Sequence, residues 1–303
     1  MKSQTFLRRA CWMIVLSGVL VASFVSAQQT TQPSSSFEPV VGQPGKDVVW
    51  VPTPQATVDK MLEMAKITAQ DYLIDLGSGD GRTVITAAKR GLKAHGIEYN
   101  PDMVELSKRN AVSEGVTDRA TFAQADIFQT DFTQATVLTM FLLPDLNIRL
   151  RPTILNMKPG TRVVSNTFNM GDWKSDDTQT VSNCSSYCTA HLWIVPAKVD
   201  GTWKMPQGEL KITQTYQTFS GTLGNTPIFA GKLSGEVISF EVGAAKYEGR
   251  VNGNRIQGTV RTNSTTPFTE SSHPISPACS TFSTSTGSSP SSLAAAYFLS
   301  ALP

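Results

Sequence analysis

Apolar positions along the 303 residues fall into two textures. Up to about residue 196, short apolar runs of strand length alternate with stretches of helical spacing. Leu73, Ile74 and Leu76, led by Tyr72, suit a parallel strand covered on both faces. Arg82 opens a helical pattern with Val84, Ile85 and Ala88, which Gly91 ends. Residues 93–97 form the next strand, ending at Glu98. Asn100 and Pro101 then start a helix through Met103, Val104 and Leu106 towards Gly115. Further strands are expected at about 120–125, ending at Asp126, and at 137–142, 162–168, 178–181 and 191–195. Upstream, Thr53 reads as an N-cap and Pro54 as the first residue of a helix with Val58, Met61, Leu62 and Ala65 on one face. Pro152 is expected to split the helical stretch after the fourth strand and begin a short second helix at 152–157.

From Gly201 the runs are short and alternating, with turn residues about every 8–12 positions. Leu210 and Ile212, Val237 to Val242, Tyr247 to Val251, and Ile256 to Val260 are the clearest. The chain therefore predicts an α/β fold, a doubly wound Rossmann-like sheet over 48–196, followed by a small antiparallel β-domain over 197–266. One apolar face on that β-domain predicts packing against the first domain. Gly201-Thr202-Trp203 resembles the G-x-W start of lipocalin-like sheets.

Composition changes the picture at the ends. Residues 1–27 carry Lys2, Arg8 and Arg9 ahead of an apolar run, with Val25-Ser26-Ala27 as a small-residue cleavage site. This predicts a signal peptide and an exported protein, periplasmic or secreted. An uncleaved membrane anchor is the alternative, and no stable span is expected once the segment is cleaved. Residues 28–47 read as a flexible linker, and 267–303 as a Ser/Thr/Pro-rich disordered tail. The segment 1–27 holds three basic residues and no acid, so removing it from a formal charge of +2 leaves −1. Composition thus gives no case for nucleic acid. The three histidines are scattered, which argues against a metal site. His95 and His191 read as residues packed in strands. Cys184 and Cys188 are too isolated for zinc. In an exported protein they could pair, and the sequence leaves that open.

The candidate chemistry centres on residues 72–82, YLIDLGSGDGR. A glycine loop between strand and helix lets a ligand lie against bare backbone. The spacing is not that of dinucleotide binders. Asp75 and Asp80 would repel a pyrophosphate but suit a ligand carrying an ammonium and a sulfonium. Glu98, at the tip of the second strand, is placed to accept bonds from ribose hydroxyls.

These features resemble the class I (seven-strand) S-adenosylmethionine (SAM) methyltransferases. Together with V-P-T-P at 51–54 and L-L-P-D-L-N at 142–147, they resemble the archaeal and mitochondrial protein-lysine methyltransferase branch. Gly171-Asp172-Trp173 adds weaker support. The resemblance implies SAM as cofactor, held by Asp75, Gly77, Ser78, Gly79, Asp80, Gly81, Glu98, Asp126 and Ile127. Asp126 would lie beside the adenine amino group and Ile127 against its ring. The 51–54 stretch would cover the cofactor. No catalytic base is implied, and Asn147 is a weak candidate for orienting the acceptor. The absence of an Asn-Pro-Pro-aromatic motif after the fourth strand argues against a base amine as acceptor. The expected acceptor is a protein lysine. The alternatives are a small-molecule acceptor, or a non-enzymatic envelope binding protein whose methyltransferase fold is a relic.

Overall fold

The computed structural model describes residues 37–262, with the backbone alone of Phe268–Pro274. The expected signal peptide at 1–27, the linker up to 36, and residues 275–303 with Cys279 lie outside the described residues.

The first layer set runs α1 (Gln55–Met64), β1 (Tyr72–Leu76), α2 (Arg82–Lys89), β2 (Lys93–Glu98), α3 (Pro101–Ser113), β3 (Ala120–Gln124), β4 (Val137–Met140), α4 (Pro144–Ile154), β5 (Arg162–Asn166), β6 (Asp177–Thr180) and β7 (Thr189–Ile194). The sheet order is β3-β2-β1-β4-β5-β7-β6. β1 to β5 pair in parallel, while β7 runs antiparallel to β5 and to β6. β1 lies at the centre because it can bury both faces. Leu73 joins the core under α1, α2 and α3, and its neighbour Ile74 joins the core under α4. Each such side chain contributes about 1.5–3 kcal/mol on burial. The chain reverses its winding direction between β1 and β4, which opens a crevice at the carboxyl ends of those strands.

Local chemistry sets the boundaries. The Asn100 side chain caps α3 by accepting from the Asp102 amide at 2.9 Å, with Pro101 next in line. α1 starts one residue later than expected. Pro54 is its N-cap, because the Thr53 hydroxyl instead accepts from Asn166 Nδ2 at 3.4 Å. α4 is one helix with Pro152 inside it, not two. A proline deprives the carbonyl four residues back of its donor. Here that residue is Ile148, which lies on the exposed side where water can serve. Among the described residues, no helix is long and apolar enough to cross a membrane.

The second unit is a closed antiparallel barrel: β8 (Gly201–Met205), β9 (Gly208–Thr215), β10 (Thr218–Leu223), β11 (Thr226–Ser234), β12 (Val237–Val242), β13 (Ala245–Asn252), β14 (Arg255–Arg261) and β15 (Phe268–Pro274). Each strand pairs with the next, and β15 returns to β8. The sheet therefore has no open edge. It also extends past 266, into what reads as a tail. The polar run FTESSHP hides this strand in the sequence, whereas closing the barrel satisfies its backbone groups. The apolar residues point inward rather than forming one outer face. Trp203, Leu210, Phe219, Leu233, Phe240 and Val260 belong to this core. Phe240 stacks on Tyr247 at 4.6 Å. The space left between the described side chains is about 20 Å³, so the interior is filled rather than a ligand chamber.

The barrel docks on the sheet through two turns. Tyr216 stacks on the buried Trp173 at 5.9 Å and donates its hydroxyl to Asp172 Oδ2 at 2.9 Å. The Arg151 guanidinium lies 5.3 Å from the Tyr216 ring and pairs with Asp172. The Gln217 amide donates to the Lys174 carbonyl at 2.7 Å. At the other turn, the Ala197 amide donates to the Gly235 carbonyl, and a Cβ on Gly235 would lie 2.9 Å from Gly160 Cα. The Gly171-Asp172-Trp173 segment thus serves as the dock for the barrel.

Candidate active site

At the strand ends lies a cavity of about 540 Å³. Its floor is the glycine loop between β1 and α2. Gly77, Gly79 and Gly81 all adopt left-handed φ angles, and at two of them the space is also closed. A Cβ on Gly79 would stand 2.8 Å from Trp50 Nε1, and one on Gly81 2.8 Å from the Phe122 ring. The loop is pinned from below. The Gly77 amide donates to the Ile97 carbonyl at 2.9 Å, and Ser107 Oγ donates to the Gly79 carbonyl at 2.7 Å.

Glu98 braces this loop as well as facing the cavity. Its Oε2 accepts from the Gly79 amide at 3.0 Å and its Oε1 from the Asn100 amide at 2.9 Å. Each carboxylate oxygen has two acceptor positions, so one remains on each for a ligand hydroxyl. Asp75 is buried at the end of β1 and accepts from Thr139 Oγ1 at 2.7 Å. Burial above all, together with the charges of Glu98 and Asp80, pushes its carboxyl up to about 7 against that hydrogen bond. Asp80 lines the cavity, but Arg82 Nε holds both its oxygens, at 3.0 and 3.1 Å. Ser78 lines the cavity too, while its buried hydroxyl has no partner and lies where a Cβ on Gly96 would be.

Asp126 and Ile127 face the same cavity from the end of β3. The Asp126 carboxylate accepts from Lys46 Nζ at 2.6 Å and from the Phe128 amide at 2.9 Å. These two bonds, Lys46 first, hold it below the usual carboxylate range.

Lys46 belongs to a roof that the sequence does not announce. Residues 40–50, mostly assigned to a linker, form a tight hairpin closed by the Pro44–Val49 bridge and by the Trp50 amide donating to the Gln43 carbonyl at 2.9 Å. Trp50 lies against Gly79, and Lys46 stands 4.7 Å over the Tyr99 ring. Val51, Pro52 and Thr53 continue the roof, as expected of the 51–54 stretch. The signal that could have found it is the apolar run Val48, Val49, Trp50 and Val51.

The far wall is aromatic and was also missed. Phe141 follows β4, Phe168 follows β5, and Tyr187 sits in the β6–β7 loop; all three line the cavity. That loop is closed by a disulfide between Cys184 and Cys188, which the sequence left open.

Asn147 is not among the lining residues. It is buried in α4, and its Nδ2 donates to the carbonyls of Phe168 and Asn169 at 3.3 and 3.2 Å. It fixes the turn after β5 rather than facing an acceptor, which corrects the candidate role read from the sequence. His191 is packed on β7 between Thr178 Oγ1 and the Thr167 carbonyl, and His95 contacts Thr121 Oγ1. Among the described residues, no cluster of His, Cys, Asp and Glu could hold a metal ion.

The site can thus hold a nucleoside with a charged amino-acid tail in a shielded slot, with an uncharged wall beside it. The family profile described as the ANTKMT methyltransferase domain matches residues 75–177. A protein-lysine N-methyltransferase of Saccharolobus islandicus is 40% identical over 151 residues, covering 49% of this chain and 94% of that protein. An ATP synthase lysine N-methyltransferase of Rattus norvegicus is 30% identical over 175 residues, covering 57% of this chain and 78% of that protein. A crystal structure of an RNA methyltransferase from Salinibacter ruber with S-adenosyl-L-homocysteine is 44% identical, covers 49% of this chain and 96% of that one, and has a TM-score of 0.47. With two protein-lysine methyltransferases so fully covered, the chain belongs to the protein-lysine N-methyltransferase family of SAM-dependent enzymes.

Proposed function

We propose that the enzyme methylates the side-chain amine of lysine in a protein acceptor. The observation that carries this reading is the 40% identity to the Saccharolobus islandicus protein-lysine N-methyltransferase over 94% of that protein. The cavity supports it: its far wall of Phe141, Phe168 and Tyr187 bears no carboxylate to trap an ammonium.

Bound SAM supplies a methyl group already activated on a sulfonium. In our reading Glu98 holds the ribose hydroxyls with its free acceptor positions. Asp126 and Ile127 take the adenine, and the bare backbone of Gly77, Gly79 and Gly81, with Ser78, cradles the amino-acid tail. Asp75 supplies the negative charge facing the tail's ammonium, while Asp80 acts chiefly by fixing the loop through Arg82. Trp50 and the 51–53 roof exclude water.

The acceptor must lose a proton before it can attack. A free lysine has pKa near 10.4, so its neutral form lies roughly 4.6 kcal/mol uphill at pH 7. Holding nucleophile, methyl and sulfur in line can supply ~7–11 kcal/mol, which exceeds that cost without a dedicated base. The uncharged wall and the neighbouring sulfonium both disfavour the ammonium, so water can take the proton. Export by the residue 1–27 segment is part of this proposal, and it places the acceptor in the cell envelope or outside.

Labelled SAM, the enzyme and an extract of envelope proteins test the reading. Acid hydrolysis of the labelled protein should release methyl-lysine, and the rate should climb between about pH 7 and 9. Label confined to RNA or to small molecules would discard a lysine acceptor.

A further inference from the structure

Three rings meet on the acceptor side of the cavity. Phe141 and Phe168 stack with centroids 5.9 Å apart. Tyr187 meets Phe141 edge-on at 5.0 Å and Phe168 at 6.5 Å. The first two rings follow β4 and β5, so the sheet fixes them. Tyr187 is different, because it stands in the loop between β6 and β7 and remains 37% exposed. Two constraints hold it there. The Cys184–Cys188 bond closes a small ring that contains Tyr187, and Thr57 Oγ1 on α1 donates to the Tyr187 carbonyl at 3.1 Å. Tyr187 adopts a left-handed φ of 56°, as does Asn183 at 63°, conformations that a free loop of non-glycine residues leaves readily.

Aromatic faces attract an alkylammonium through the ring quadrupole and also pack its methylene stem. Such a wall binds lysine and its methylated forms, which keep their charge, without offering a carboxylate. We propose that Tyr187, positioned by the Cys184–Cys188 ring, is a specificity-determining residue that completes an aromatic wall with Phe141 and Phe168 for a cationic alkylamine acceptor. The disulfide then acts on acceptor affinity and not on cofactor affinity. This inference rests on the lysine reading above and adds to it the residues that select the amine.

The test uses the full chain with poly-L-lysine as acceptor and measures KM, kcat and the SAM dissociation constant separately. Tyr187→Leu should raise KM for poly-L-lysine by roughly three- to thirtyfold, the span expected for a cation–π contact. SAM affinity should stay unchanged, and Tyr187→Phe should restore KM to within about twofold because the ring face is retained. The double variant Cys184→Ser/Cys188→Ser should raise KM in the same direction. Reductant should reproduce that rise in the parent and do nothing further to the double variant. A parent that methylates poly-L-lysine with KM unmoved in Tyr187→Leu overturns the wall alone. Loss of SAM affinity in step with KM overturns it too, because it marks general damage to the site. A parent that methylates no lysine overturns the wall together with the lysine reading.

Discussion

Asp75 carries the clearest electrostatic consequence of the site. Its carboxyl is pushed up to about 7 by burial and by neighbouring acids. The folded protein therefore favours the protonated form, while the unfolded chain ionises near 3.9. The stability tied to this group is complete below that value, falls as pH rises, and is gone above about 7. An ammonium beside it reverses the preference, because an opposite charge favours the carboxylate. SAM should therefore bind more tightly at pH 8 than at pH 6, with proton release at pH 6 that vanishes by pH 8. Calorimetry in buffers of different ionisation enthalpy reads this directly. Asp75→Asn should abolish the dependence, and a flat parent profile would exclude Asp75 as the ammonium's partner. Position along the strand makes Asp75 visible in the sequence. Its hydrogen bond to Thr139 is not visible, because that contact comes from pairing β1 with β4, 64 residues apart. Asn147 shows the converse. Its place just after β4 suggested a role at the acceptor, but only the fold reveals that the carbonyls of Phe168 and Asn169 claim its amide.

At the scale of elements, periodicity and caps locate the strands and helices that hold the cofactor side. The Gly-rich loop, the Asn100-Pro101 start and the acidic strand tips are local patterns, and local patterns survive translation into structure. What fails is whatever tertiary contacts decide. Thr53 has the chemistry of a cap but is engaged by Asn166. The roof at 40–50 looks like a linker because its hairpin is stabilised by resting on Gly79 and Asp126 rather than by its own propensity. Pro152 is tolerated because the carbonyl it strands faces solvent. Pro152→Ala restores that bond, and helix preference for alanine outweighs the lost rigidity of the unfolded chain. It should stabilise the protein by roughly 1 kcal/mol in denaturant unfolding. A clear loss of stability would mean that the proline ring packs against something α4 needs.

Across the whole molecule, the catalytic sheet and the barrel each own a core, and a small docking patch joins them. The barrel was legible as a run of antiparallel strands but not as a closed one, since β15 carries few apolar residues and closure is a property of the sheet. Tyr216 bridges the two units by stacking on Trp173 and bonding Asp172. Tyr216→Ala removes both contacts and should cost about 2 kcal/mol. Thermal unfolding should then separate into two transitions where the parent shows one. An unchanged single transition would place the coupling elsewhere, at the Gly235–Gly160 contact.

The central claim is that the strand-end cavity is the SAM site, and equilibrium binding of SAM tests it most directly. The parent should bind one SAM per chain at micromolar concentration. Glu98→Gln should weaken binding by roughly tenfold or more, the loss of one charged hydrogen bond of about 1.5–3 kcal/mol. Gly79→Val should weaken it at least as much, because its side chain would collide with Trp50 and displace the roof. A parent that binds no SAM, or two variants that bind it as tightly as the parent, would contradict that claim.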